Sequence, residues 1–302
     1  MLSQFYCTRV SICMISCCMA FNALALNTHM SLKRALATKT VSLSAVSNGG
    51  WRGKSIKLAL TNNTAKELTI DVDPGLIFVP DDTTYQDLVL LGGETLAVGP
   101  SSRIETDLQT LCGKSYAKTP WPRLQYRYNK QGDSNMVKTL KYANTNNIPP
   151  EVTQHAVWMF TCGHCLSTVY SSEYPRMSED LVQYIASVKK MKVPLYFTSS
   201  QLQNRPGQYP VIAGREKTYV NMHWKADDGY RHMRLYILKE NGEPYREIEA
   251  GRIIDKYGYT VQVEFDAQRD PKGKYIVMLR DDADKIWDQK TVVIGAGPCD
   301  VY

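Results

Sequence analysis

From residue 41 onward, apolar residues recur at every second position. Val41, Leu43 and Ala45 alternate with polar neighbours, and so do Ile56, Leu58 and Leu60, then Leu68, Ile70 and Val72. A period of two puts alternate side chains on one buried face of a strand. The runs are broken by turn-forming residues: Asn48-Gly49-Gly50, Asn62-Asn63, Asp73-Pro74-Gly75, Asp81-Asp82, Gly92-Gly93 and Gly99-Pro100. Further strands are expected over 87–91, 95–98 and 103–111. Many short strands separated by Gly and Pro turns predict a β-sandwich.

The pattern changes near residue 136. Val137, Leu140 and Tyr142 suggest a short helix, and Pro149-Pro150-Glu151 reads as a helix entrance, since proline is tolerated in a first turn. A second helix is expected to start at Ser178 as N-cap, with Glu179 and Asp180 at its positive end. Leu181, Ile185 and Val188 would share its buried face, Lys189, Lys190 and Lys192 its negative end, and Pro194 would stop it. After that the period of two returns in Thr218, Val220, Met222 and Trp224, in Met233, Leu235 and Ile237, and in Tyr259, Val261, Val263 and Phe265. Glu240-Asn241-Gly242 is a hairpin signal. Ile276, Met278 and 291–294 complete the strand set. About seven strands in about 100 residues is the size of an immunoglobulin-like sandwich, and Pro271-Lys272-Gly273-Lys274-Tyr275 resembles the tyrosine corner of such domains. The expected fold is mainly β: an N-terminal β-sandwich with a helical extension, followed by an immunoglobulin-like β-sandwich. The boundary falls within 193–214, where Pro194, Pro206, Gly207, Pro210 and Gly214 cluster.

The first 25 residues read differently. Arg9 is followed by an apolar run over 10–21 and then by Ala23-Leu24-Ala25. Charge, apolar core and small-residue exit are the parts of a secretory signal. The run is shorter than the roughly 20 residues a spanning helix needs. An uncleaved anchor, or a lipoprotein site at Cys17, are the alternatives. The expected organisation is a signal over 1–25, a linker over 26–38, a sandwich with helices over 39–193 and the second sandwich over 194–302. The expected address is extracytoplasmic: periplasm, cell surface or medium. No later stretch is long and apolar enough to span a membrane.

Composition narrows the function classes. Lys and Arg number 36 against 30 Asp and Glu, a net charge of +6. The charges are scattered, which favours solubility and does not point to nucleic acid. No Ser-His-Asp arrangement, carboxylate pair or phosphate loop stands out, so neither an enzyme nor a cofactor is the first expectation. The 19 tyrosines suit a surface that binds protein or glycan. Of eight cysteines, Cys7, Cys13, Cys17 and Cys18 fall in the signal. Cys112, Cys162, Cys165 and Cys299 remain as disulfide candidates, and four thiols allow three connectivities.

The chemistry-bearing residues concentrate in 153–165. Cys162-Gly163-His164-Cys165 is the tetrapeptide used by protein disulfide isomerases, which makes Cys162 and Cys165 catalytic candidates if redox-active. That reading asks for a strand before the motif, over 157–160, and a cis-proline, with Tyr209-Pro210 as candidate. His155, Cys162, Cys165 and His164 are also zinc-ligand types, but no second ligand pair accompanies them, so no metal is expected. Asp281, Asp282 and Asp284 could touch calcium, though aspartates also favour turns. His223 and His232 read as surface or cross-strand residues.

Thr153-Gln154-His155-Ala156-Val157-Trp158 resembles the TQxA motif, with its following apolar residue and tryptophan, of thioester domains in bacterial surface adhesins. The resemblance implies an internal thioester between Gln154 and an upstream cysteine, with Leu111-Cys112 supplying that cysteine. A host nucleophile would open the bond and leave a covalent attachment. The Pro120-Trp121-Pro122 segment and a trailing immunoglobulin-like domain also fit. The leading expectation is an exported, non-enzymatic binding or adhesion protein. A thiol–disulfide oxidoreductase and a covalent thioester adhesin are its alternatives.

Overall fold

The computed structural model describes residues 28–50, 52–199, 202–203, 207–209, 211–212, 217–224, 232–249, 254–255, 258–295 and 299. The expected signal, 1–25, lies outside the described residues. The fold is mainly β, as the alternation requires.

The first unit begins earlier than the linker expectation allowed. Thr28–Ser31 is strand β1 and Leu32–Ala37 is helix α1, capped by the Ser31 side chain, which accepts the Arg34 N–H. They are ordered because β1 pairs with a later strand and Leu32 and Ala35 enter the main core. Eight strands follow: β2 (Val41–Asn48), β3 (Gly53–Asn62), β4 (Leu68–Val72), β5 (Leu76–Pro80), β6 (Leu88–Leu90), β7 (Glu94–Val98), β8 (Arg103–Cys112) and β9 (Pro122–Gln131). Six of them, in the order β2-β3-β8-β6-β5-β9, close into a barrel, and β1-β4-β7 form a separate sheet. The two layers share one core, in which Ile70 and Val98 of the small sheet meet Leu58, Phe78 and Leu108 of the barrel. Register shifts at Val46/Asn48, Gly53/Ile56 and Ile77/Phe78 bend the strands where the barrel must turn.

Three helices follow, of which the first two cover part of the barrel wall and the third packs against them. These are α2 (Ser134–Thr145), capped by Asp133, α3 (Pro150–Cys162) and α4 (Pro175–Lys189). A 3-10 turn, Leu166–Thr168, lies between α3 and α4. Helix α4 starts at Pro175, one turn before the expected cap. Ser178 is buried inside it, with its Oγ donating to the Tyr174 carbonyl. Proline fixes φ for the first helical position, which moves the start upstream. Strands β5, β6 and β8 bury both faces. Phe78, Leu88 and Leu108 point into the barrel, while Ile77, Val89 and Leu111 point outward onto Met136, Leu140 and Val157 of the helices.

The last unit holds β10 (Phe197–Ser199), β11 (Leu202–Gln203), β12 (Val211–Ile212), β13 (Lys217–Trp224), β14 (Met233–Lys239), β15 (Pro244–Glu249), β16 (Ile254–Asp255), β17 (Gly258–Asp266), β18 (Gly273–Asp281) and β19 (Ile286–Ile294). Two four-stranded sheets, β10-β13-β17-β16 and β15-β14-β18-β19, enclose a second core. Val220 and Phe265 of one sheet face Leu235, Ile237 and Val277 of the other. Tyr275 donates its hydroxyl to the Pro271 carbonyl at 2.8 Å. This unit joins the helices through apolar contact. Tyr170, after the 3-10 turn, stacks on Phe197 with centroids 4.4 Å apart, in a cluster that also holds Leu181 and Tyr219.

Candidate functional site

Strand β8 ends at Cys112 with the barrel behind it and α3 across it. Both surfaces are apolar, so Cys112 is buried. Helix α3 lies between two cores: Val157 packs towards the barrel wall, Val152, Ala156 and Met159 towards α4. Thr153 is buried and donates its hydroxyl to the Pro149 carbonyl. This packing aims Gln154 at the end of β8.

There Gln154 meets Cys112 at two points. The Cys112 backbone N–H donates to Gln154 Oε1 at 2.8 Å, and Gln154 Nε2 donates to the Cys112 carbonyl at 2.9 Å. The two residues are 42 positions apart, and both are buried. The carboxamide is therefore bracketed by the backbone of the residue whose sulfur stands two bonds from the same Cα. Burial, and secondarily the nearby Cys162, pushes the Cys112 thiol well above the usual range, so it stays protonated.

The loop after Cys112 is held in place by a residue with no signal in the sequence. Gln86 is buried; its side chain accepts from the Lys114 N–H and donates to the Ala117 carbonyl. Its own carbonyl accepts from the Tyr126 hydroxyl. Gly113 has no room for a side chain, because a Cβ there would lie 2.9 Å from the Cβ of Asp87. Lys114 pairs with Asp87 at 2.7 Å. A cleft of about 380 Å³ opens beside this loop, lined by Asp87, Gly113, Lys114, Tyr116, Phe160 and Thr161 among others.

Two histidines and a tryptophan complete the surroundings. Burial, and then the neighbouring His164, holds the His155 imidazole down at about 4, so it is neutral at pH 7. Burial lowers His164 as well, and its Nε2 shares a hydrogen bond with Ser115 Oγ at 2.9 Å. Trp158, one turn past Gln154, lies between them, with ring centroids 5.5 Å from His155 and 5.9 Å from His164. Its indole N–H is buried and has no hydrogen-bond partner among the described residues.

The four cysteines separate by role. A disulfide joins Cys165 to Cys299, with Cα atoms 5.2 Å apart. Cys162 stays a thiol, half-buried, 3.5 Å from the Gly113 carbonyl. Residues 157–160, required as a strand by the redox reading, are helical, and Cys162 is the last residue of α3 where that chemistry wants a helix N-terminus. Pro210 lies outside the described residues. Among the described residues no group of three or more metal-ligating side chains comes together. Asp281 spends its carboxylate on the N–H groups of Ala283, Lys285 and the Trp287 indole, so the 281–284 segment is a turn closed by its own aspartate. His232 pairs with Asp282 at the surface.

His223 is a cross-strand residue, directly opposite Thr260 of β17, and it also has a partner that alternation does not reveal. It reaches from β13 to Glu179 of α4 at 3.0 Å and shares a hydrogen bond with Thr260. Asn221 also donates to Glu179 and accepts from the Tyr170 hydroxyl. Neither a protein-family model nor a curated protein sequence matches the chain.

Proposed function

We propose that the chain is an exported adhesion protein that captures a ligand covalently through an internal thioester between Cys112 and Gln154. The observation that carries this reading is the pair of hydrogen bonds by which the Gln154 carboxamide is docked on the Cys112 backbone. A glutamine tie alone would satisfy the same two backbone groups. The chemistry comes from the bracketed residue being a buried cysteine, and from the Thr153-Gln154-His155-Ala156 motif around its partner.

Bond formation needs no external reagent. The Cys112 sulfur attacks Gln154 Cδ while the Cys112 N–H holds the growing negative charge on Oε1. The Cδ–Nε2 bond breaks, the thiol proton passes to the nitrogen, and ammonia leaves. The product is a thioester walled off from water by β8 and α3. Burial that raises the thiol also makes its thiolate a poor leaving group, which slows hydrolysis. A primary amine on a ligand reopens the bond: nitrogen bonds to Cδ, the Cδ–Sγ bond breaks, and an amine proton passes to sulfur. The ligand is then held by an amide to residue 154.

The surroundings suit such a task. Tyr116 and Trp121, on the loop following Cys112, are exposed, and exposed Tyr209 lies against the same loop through Lys118, whose Nζ is 5.2 Å from its ring. Exposed aromatic groups of this kind favour protein or glycan surfaces. We read the C-terminal unit as immunoglobulin-like. Its sheets have the strand order A-B-E-D and C′-C-F-G, with a tyrosine corner at Tyr275. Such a domain is a spacer and needs no active site.

The reading is tested by incubating the purified protein with a small primary amine and then denaturing it. Wild type should carry the amine at residue 154 and expose one new thiol at Cys112, whereas Cys112→Ser should carry none. Labelling elsewhere, or equal labelling of the variant, would rule the reading out.

A further inference from the structure

The Cys165–Cys299 disulfide closes a loop with a sequence separation of 134 residues. That loop contains the whole C-terminal sandwich, which has its own apolar core. It therefore does not staple an underpacked domain, the usual use of a bridge in a small exported module. What it changes is connectivity. Cys165 lies just past the end of α3, the helix that carries Gln154, after its left-handed cap Gly163 and His164. Cys299 comes just after β19, the last strand.

We propose that this disulfide is a mechanical bypass. Tension between a ligand attached at Gln154 and any anchor beyond Cys299 runs along α3 to Cys165 and crosses the sulfur bridge directly. The N-terminal barrel lies upstream of Gln154 in the chain and carries none of the pull. The C-terminal sandwich lies within the bypassed loop. This inference rests on the covalent-capture reading for its Gln154 end only.

Two further observations support it. The first half of the short stretch under load is braced, since α3 is buried against the barrel wall on one side and α4 on the other. The junction is also docked without the bridge. Glu179, His223, Asn221 and Tyr170 form a hydrogen-bonded cluster across it, and Lys290 Nζ donates to the Asn221 carbonyl. The two sulfurs are thus brought together by folding, and the bridge then takes the load off hydrogen bonds that tension would break one by one. Strands yield by losing ladder hydrogen bonds; a disulfide yields only by covalent cleavage or exchange with another thiol.

The lengths make the test clear. At ~3.3–3.6 Å per extended residue, the bypassed loop would release roughly 450 Å, and the stretch from Gln154 to Cys165 no more than about 40 Å. Full-length protein is held by its C-terminus and pulled with a single-molecule instrument through either of two handles. One is an amine-bearing tether captured at Gln154. The other is a maleimide tether on Glu151→Cys in a Cys162→Ser background, which needs no thioester. Oxidised protein should show no step near 450 Å with either handle, and both should show it after reduction or in Cys299→Ser. A step of that size with the disulfide intact, or identical traces for the oxidised protein and Cys299→Ser, would overturn the proposal. If only the amine tether fails to attach, the capture reading falls and takes the Gln154 end of the path with it, while the Glu151 handle still decides the bypass.

Discussion

Cys112 and Gln154 illustrate how residue-scale chemistry depends on where backbone groups go. The last residue of β8 needs partners for its N–H and C=O, and a side-chain amide from α3 supplies both. Trp158 stands out on the same helix face. Helical side chains lean towards the N-terminus, so its ring covers the turn that holds Gln154. A buried indole N–H without a partner is rare enough to ask what it serves. Negative charge growing on Gln154 Oε1 is the nearby need. Trp158→Phe should therefore slow amine capture by about tenfold to a hundredfold. It should cost only about 1–2 kcal/mol of stability through lost packing. Rates from quenched labelling, set beside a urea titration, check both; equal loss of rate and fold would make the tryptophan purely structural. At this scale the motif residues were legible, because 153–158 is a compact pattern. Gln86, Ser115 and the His164 contact were not, since a lone glutamine or serine in a loop carries no periodicity.

Between elements, the fold turns on strands that are apolar on both faces. Ile77, Val89 and Leu111 on the outer wall pack on α2 and α3, while Phe78 and Leu108 fill the interior. Leu140→Ala should cost about 3 kcal/mol by leaving a cavity under α2. The barrel should remain closed while α2 and α3 loosen. Hydrogen exchange should then show faster α3 amides with unchanged β2 and β3, and amine capture should fall. Alternation along 41–72 predicted the strands, but a sandwich and a barrel bury the same alternate faces. The bulges that close the barrel leave no mark in hydropathy. The order in 28–37 was missed for a related reason: α1 is six residues long, too short for a helical period to show. The start of α4 was misplaced because Ser178 is a good cap by type, yet Pro175 had already set the helix.

For the molecule as a whole, the junction between the helices and the C-terminal sandwich decides whether it acts as one piece. Burial pushes the Glu179 carboxyl up, but the hydrogen bond and charge of His223, with help from Asn221 and Lys290, outweigh this and leave it below its ordinary 4.5. Its folded value is depressed, so its contribution is fully present above about pH 4.5 and is lost as pH falls through the lower folded value. His223→Ala leaves Glu179 buried with fewer partners and should cost about 2 kcal/mol near neutrality. The variant should also lose stability less steeply in acid, which denaturant midpoints at several pH values would show. A wild-type acid slope unchanged by the substitution would disprove the coupling. None of this was legible locally: Glu179 looked like a helix-dipole partner and His223 like a strand residue, and only docking brings them together. The same holds for the cysteines, since sequence left three pairings open and the docked domains place Cys165 beside Cys299.

The covalent link between β8 and α3 is the claim on which the site, the capture chemistry and the origin of the load path converge. Intact mass of the freshly purified protein, followed by a peptide map, tests it most directly. The account predicts a mass lower than the sequence requires by one ammonia, with the peptides of Cys112 and Gln154 joined until amine or alkali separates them. A full-mass protein whose Cys112 alkylates on denaturation, with Gln154 an ordinary amide, would contradict it.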